Sequence, residues 1–276
     1  LLFLIIGGGV YLIIISKFIP FRYIPHAIDI LKNKFSEHES DGEISHFQAL
    51  STALSATIGM GNIAGVAVAI SIGGPGSVFW MWISAIIGMT TKFFTSSLSV
   101  MYRGVDSVGN KQGGPMYFIV NGLGKKWMPL AMFFSLCGMI GALPVFNVNQ
   151  LTSAISNIVF IPRGFEVDLY LKVVIGFVLI IITSIVIIGG LKRISEFASK
   201  IVPFMVFIYF ISVVLILIIN HDNILESFKL IFVDAFRGEY YNGDAILGGT
   251  LGAFIVYGVR RGVFSNEAGI GMAPMA

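Results

Sequence analysis

The sequence predicts an all-α polytopic membrane protein, and three observations carry that prediction. Of the 276 residues, 12% are charged and 56% are hydrophobic, whereas a soluble domain is nearer a quarter charged. The apolar residues gather into stretches of the ~20 that a helix needs to cross a bilayer core. No stretch alternates with a strand period, and the chain lacks the repeated ten-residue dyads of a membrane barrel.

Seven stretches meet the length requirement: roughly 1–19, 47–72, 76–102, 127–158, 170–190, 197–219 and 247–276. The long stretch 127–158 reads as one span plus polar turns interrupted near Pro144. Residues 20–46 are dense in charge and read as a solvated linker, and Gly73-Gly74-Pro75-Gly76 reads as a tight turn between spans. Residues 104–126 form a second polar loop, with Gly113-Gly114-Pro115 before a short helix. Between 223 and 237, Ile224, Leu225, Phe228, Ile231, Phe232, Ala235 and Phe236 recur with helical spacing, with Asp, Lys and Glu opposite. That pattern predicts a helix lying in the membrane interface. Trp80, Trp82, Trp127 and Tyr170, near span ends, read as interface anchors.

Basic residues orient the spans. Following seven crossings, eleven Lys and Arg fall on one side and four on the other (Arg163, Lys172, Lys229 and Arg237). The richer side is cytoplasmic, which places 104–126 and 191–200 inside and 221–243 outside. The chain starts at Leu1 rather than Met and stops within an apolar segment, so it reads as a fragment, a single transmembrane domain over 1–276.

Several function classes find no support. A net charge of +3 with scattered basic residues gives no footprint for nucleic acid. His26, His38, His46 and His221 have no metal-ligand spacing, and no Ser-His-Asp set, phosphate loop or dinucleotide fingerprint occurs. The sequence therefore names no catalytic residue and no cofactor, and does not read as an enzyme. Cys137, the single cysteine, reads as a small core residue.

Two spans stand apart. The second contains Ser55-Ala56-Thr57-Ile58-Gly59-Met60-Gly61-Asn62, and the seventh contains Ser265-Asn266-Glu267-Ala268-Gly269-Ile270-Gly271. Both carry Ser-x-x-x-Gly-x-Gly inside an apolar run. Glycine weakens a helix, so such a pair marks a break, and backbone freed by a break must line a cavity or bind something. Five spans separate the two copies, an odd number, so they cross in opposite directions. That is the signature of an inverted repeat with broken helices at equivalent places. Helix N-termini at a break suit a carboxylate, and freed carbonyls suit a cation. The competing reading is that the glycines only let helices pack closely.

Polar side chains add to the site. Asn62 follows the first break, and the fourth span supplies Asn147, Asn149 and Gln150. Amides can donate to a carboxylate and accept from an ammonium, which matches a zwitterion, though they also serve helix–helix hydrogen bonding. The expected substrate site thus gathers Thr57, Gly59, Gly61 and Asn62, then Asn149 and Gln150, then Ser265, Gly269 and Gly271. Glu267 and Lys92 are ionisable groups within spans and are candidate coupling or structural charges. Glu267 has Arg260 or Arg261 as a nearby partner, or caps amides, or holds a coupling ion, with the structural role favoured.

At these residues the sequence resembles the alanine/glycine–cation symporter family. The resemblance rests on Ala53-Leu54-Ser55-Ala56-Thr57-Ile58-Gly59-Met60-Gly61-Asn62-Ile63-Ala64-Gly65-Val66-Ala67, Gly73-Gly74-Pro75-Gly76-Ser77-Val78-Phe79-Trp80-Met81-Trp82, Gly88-Met89-Thr90-Thr91-Lys92-Phe93, Gly113-Gly114-Pro115-Met116-Tyr117 and Phe264-Ser265-Asn266-Glu267-Ala268-Gly269. It extends over most of the chain from residue 45 onward. It implies a leucine-transporter-like fold: an extra helix (1–19), a first five-helix repeat (47–219) and the start of the second (247–276), with most of the second repeat lacking. It also implies sodium-driven uptake of small neutral amino acids, alanine or glycine, across a plasma membrane, here a bacterial inner membrane. Carbonyls at Ser55 and Ile58 would help hold the co-transported sodium. Two departures stand out: the family commonly has an acidic residue soon after the Lys-Phe pair, where this chain has Phe94-Thr95, and a small polar residue after the second Gly-x-Gly, where it has Met272.

The partners expected are therefore a small neutral amino acid, sodium and the lipid bilayer. A proton-coupled transporter with Glu267 as carrier is the nearest rival, and a channel or membrane scaffold is the rival from another class. A channel would need a selectivity ring or charged pore lining that the sequence does not show.

Overall fold

The computed structural model describes residues 2–32, 44–105, 109, 111–141, 143, 145–237, 250–271 and 273–275. The architecture is helical. The helices are α1 (Leu2–Ile15), α2 (Ile19–Arg22), α3 (Ile24–Leu31), α4 (His46–Thr57), α5 (Met60–Gly73), α6 (Gly76–Met101), α7 (Pro115–Leu123), α8 (Met128–Gly141), α9 (Val145–Ile155), α10 (Leu169–Ile187), α11 (Gly190–Ile219), α12 (Ile224–Arg237) and α13 (Thr250–Asn266). A two-residue ribbon, Gly104–Val105 against Lys111–Gln112, closes the loop after α6. Among the described residues, α6, α10 and α11 are long and apolar enough to cross a membrane, and α1 and the 62–73 part of α5 are shorter apolar helices.

Local chemistry sets the ends of these helices. Ser45 and Gln48 form a reciprocal capping box that starts α4, satisfying two amides that a bare helix end leaves open. Asp168 Oδ1 accepts from the Leu171 amide at 2.8 Å and starts α10. Pro115 opens α7 behind Gly114, whose φ of 130° suits only glycine.

Helix α6 is the hub. It packs against α13, α12, α1 and α5, while α11 packs along α4 and α9 lies against α5. Small residues make the α6–α13 seam close. A Cβ added at Gly258 would lie 2.5 Å from the Ser77 carbonyl oxygen and 2.7 Å from Trp80 Cβ, and one at Gly262 would meet Ser84 Oγ and Met81. Gly258 and Gly262 are four apart, so they form one stripe facing α6. With no hydrophobic drive between helices in lipid, such close contact is what holds a pair together.

The charged segment 20–46 needs a correction: within its described part it is not simply a linker, since α2 and α3 are helical. Ile24, Ile28 and Leu31 of α3 recur at i, i+4, i+7 and stay exposed along the wall of an open cleft. Helix α12 is present as expected, and its aromatic residues also pack on α6. Phe232 and Phe236 pack at 5.5 and 5.2 Å ring separation from Phe79, and Phe228 and Phe232 each lie 6.3 Å from Trp82. Trp80 donates from Nε1 to the Ala235 carbonyl at 3.1 Å.

Asp234, expected on the polar side of α12, is fully buried. Its Oδ2 accepts from the Gly76 amide at 2.7 Å, so a carboxylate from a distant helix caps the start of α6. The N-terminal amides and dipole of α6 stabilise the anion. Backbones cross closely here, since a Cβ at Gly76 would lie 2.5 Å from the Ala235 nitrogen. Asp234→Ala is expected to lose a charge-assisted hydrogen bond worth roughly 1.5–3 kcal/mol. A melting curve of the purified complete protein should show it as a clear fall in transition temperature.

Candidate functional site

The second span is broken where the glycines lie. Helix α4 ends at Thr57, Ile58 and Gly59 are extended, and α5 begins at Met60. Gly59 has a φ of −156°, a backbone shape open to any residue, and a Cβ there would meet nothing within 4 Å. Its glycine is therefore not a packing device. The N-cap of α5 is Gly59, which has no side chain to cap the helix, and its carbonyl accepts from the Asn62 and Ile63 amides at 2.9 and 3.3 Å. Gly61 is the second residue of α5, and its surroundings lie outside the described ones.

Asn62 stitches the break together. Its Nδ2 donates to the Thr57 carbonyl at 2.5 Å, tying the carbonyl end of α4 to the start of α5. Its Oδ1 accepts from Ser265 Oγ at 2.5 Å, although 203 residues separate the two. The hydroxyls of Ser55 and Thr57 turn back onto their own helix, donating to Thr52 and Ala53 carbonyls at 2.7 Å.

The seventh span is broken as well. Helix α13 stops at Asn266, and Glu267, Gly269 and Gly271 take left-handed φ of 54°, 82° and 89°. Glu267 carries a side chain in a region that L residues rarely adopt. Asn266 organises the exit: its Oδ1 accepts from the Ala268 amide at 2.9 Å and its Nδ2 donates to the Ser84 carbonyl at 3.4 Å. A Cβ at Gly271 would lie 2.6 Å from Phe134 and 2.9 Å from Pro115, so this glycine is required by both conformation and contact. Further on, Ser99 Oγ donates to the Pro274 carbonyl at 2.6 Å. Met272 lies outside the described residues.

The two breaks border one open cleft of about 770 Å³. Its walls include Thr57, Ile58 and Asn62 from the first break, Ser265 and Asn266 from the second, Gly88 and Lys92 from α6, and Ile24, Ile28 and Leu31 from α3. Lys92 is the one charged side chain among the lining residues. Asn149 and Gln150 lie on α9, which packs on α5, and neither lines the cleft; Asn149 is exposed. Ser55 is also exposed, and neither Gly269 nor Gly271 lines the cleft.

Lys92 and Glu267 lie close enough to interact electrostatically. Of the alternatives for Glu267, pairing with Arg261 is not seen: Arg261 lies across Gly65 of α5 and over the Phe264 ring at 5.4 Å. Lys92 also donates to the Asn266 carbonyl at 3.3 Å. Sequence reading missed Asn266, Gly88 and α3 as parts of this cleft. Asn266 carried a signal, being an amide one residue before Glu267 in an apolar run.

Chemically, the arrangement offers helix-end backbone at two breaks and neutral amide and hydroxyl groups. Among the described residues no group of His, Cys, Asp and Glu could hold a metal ion through side chains.

Comparison with known proteins gives the same direction. A model of the sodium:alanine symporter family matches residues 1–276. The chain is 42% identical over 278 residues to the sodium/alanine symporter AgcS of Methanococcus maripaludis, covering 100% of this chain and 59% of that protein. It is 37% identical over 276 residues to the putative sodium/proton-dependent alanine carrier protein YrbD of Bacillus subtilis, covering 99% and 53%. It is 36% identical over 278 residues to the probable sodium/glutamine symporter GlnT of the same organism, covering 100% and 55%. The chain thus spans between half and two thirds of the length of these curated relatives. Matched along its whole length, and helical with spans fit for a membrane, the chain belongs to the sodium:alanine symporter family, whose members are transporters and not enzymes.

Proposed function

We propose that the complete protein is a sodium-coupled symporter that carries a small neutral amino acid, alanine or glycine, into the cell across the plasma membrane. The observation that carries this reading is the hydrogen bond between Asn62 and Ser265, which joins two interrupted spans at one cleft. In this reading the N-terminal end of α5, the positive end of its dipole, takes the substrate carboxylate. Carbonyls near Ser55 and Ile58 take part in holding sodium, and the polar groups of Thr57, Asn62 and Ser265 select a small zwitterion. Gly59 and Gly61 let substrate approach backbone, Gly269 and Gly271 shape the second break, and Asn149 and Gln150 close the site from α9 in another state of the cycle.

Residues 47–219 form the first inverted repeat and 247–276 begin the second, with loops 104–126 and 191–200 cytoplasmic. Transport follows alternating access, one bundle rocking against the other around a fixed site. The membrane potential supplies about 2.3 kcal/mol per charge per 100 mV.

The test is uptake of radiolabelled alanine by the complete protein in liposomes, with an inward sodium gradient and with choline in its place. Uptake that requires sodium is expected. A second reading, proton coupling through Glu267, has one observation in its favour: Glu267 Oε2 is buried without a hydrogen-bond partner. Uptake that ignores sodium, collapses with the proton gradient and is lost in Glu267→Gln would replace the first reading with the second.

A further inference from the structure

We propose that Lys92 is a tethered cation of the transport site, holding the carbonyl end of α13 in the place that a free monovalent ion would otherwise occupy. Lys92 is a positioning residue in this account, acting through α13, and the idea rests on reading the two breaks as an ion-coupled site.

Four observations lead there. Helix α13 stops at Asn266 inside an apolar span, and the last carbonyls of a helix have no partner within it. Those carbonyls carry the negative end of the helix dipole, so they attract a cation. Lys92 Nζ donates to the Asn266 carbonyl at 3.3 Å. The carboxylate of Glu267, the next residue, lies within electrostatic reach of the same ammonium, and its Oε2 is buried with no hydrogen bond. A carbonyl oxygen at the ammonium and a carboxylate at longer range are the ligand types that a hard cation takes.

The geometry of α6 makes this possible. Gly88 and Lys92 are four residues apart, on one face of α6. A Cβ at Gly88 would lie 2.7 Å from Ala268 Cβ and 3.0 Å from Asn266 Nδ2. Glycine there lets the end of α13 come against α6, and Lys92, one turn on, reaches its carbonyl. The side chain also borders the cleft, so the cation it provides stands where ions and substrate arrive. A lysine inside a span must be paired. Here its partners belong to the broken helix, so the pairing fixes the break in shape.

The distinguishing property of a tethered cation is that a free cation can replace it. The experiment is thermal unfolding of the purified complete protein without amino acid, in sodium chloride, methylammonium chloride or choline chloride at equal ionic strength. Lys92→Ala vacates the position, and Lys92→Met fills it with an apolar chain. Both variants are expected to melt about 4 °C or more below wild type in choline. Sodium and methylammonium are expected to recover at least half of that fall for Lys92→Ala, beyond any gain wild type shows in the same salts, and none of it for Lys92→Met. A Lys92→Ala protein that neither cation recovers, including one that cannot be purified in sodium, overturns the proposal. So does a Lys92→Ala protein as stable as wild type in choline. Wild-type uptake that proved indifferent to sodium would sink the coupling reading above, while cation recovery of Lys92→Ala would still stand.

Discussion

Asn62→Ala is expected to weaken alanine binding by ten- to a hundredfold while leaving the protein inserted and folded. Asn62 makes two hydrogen bonds at 2.5 Å, one to the Thr57 carbonyl and one from Ser265 Oγ. Removing it frees the carbonyl end of α4 and leaves Ser265 without its acceptor. Where one partner of a charge-assisted bond to substrate is deleted, the loss is roughly 1.5–3 kcal/mol, which is that fold-change. Half-buried and placed at the border of an open cleft, the side chain fills no packed core, so the melting temperature should move little. Equilibrium binding of labelled alanine in sodium, with a melting curve on the same sample, separates the two effects.

Gly262→Val is expected to do the reverse and unseat the hub. A Cβ at Gly262 would meet Ser84 Oγ and come 3.1 Å from Met81 Cα and 3.2 Å from the Met81 carbonyl. A serine hydroxyl can rotate away, but the backbone of α6 cannot yield without moving the helix. Overpacking of this kind costs roughly 1–3 kcal/mol and more where backbone must shift. The α6–α13 seam carries both the second break and the Lys92 contact, so alanine binding should fall along with stability. Gly176→Val is the control: a Cβ there would meet nothing within 4 Å, and the variant should melt like wild type.

The breaks were legible in the sequence because glycine pairs inside apolar runs have few physical explanations. Asn62 and Ser265, one residue from each break, are hydrogen-bonded to each other. Not every glycine in the motif has the same reason, though. Gly271 is demanded by a φ of 89° and by Phe134, whereas Gly59 sits in extended backbone facing open space. Spacing cannot separate these cases, since both look alike in one dimension.

Asp234 was illegible for a different reason. Periodicity assigns a face from the residues of one helix, and the carboxylate is satisfied by an amide 158 residues away. Only the crossing of two backbones at Gly76 puts it in the interior. Likewise, helical spacing offered Glu267 only Arg260 and Arg261, and its electrostatic neighbour Lys92 comes from another helix. Helix α3 could have been read: Ile24, Ile28 and Leu31 lie on one stripe, but the charges around them suggested solvent.

The central claim is that the two breaks make one binding site, and a double-mutant cycle tests it most directly. Alanine affinity in sodium would be measured for the complete protein, for Asn62→Ala, for Ser265→Ala and for the double variant. The account predicts that the double variant binds scarcely worse than the weaker of the two single variants, a coupling of about 1 kcal/mol or more between residues that share a partner. Penalties that simply add, or wild-type affinity in both single variants, would contradict it and return the glycines to the role of helix packing.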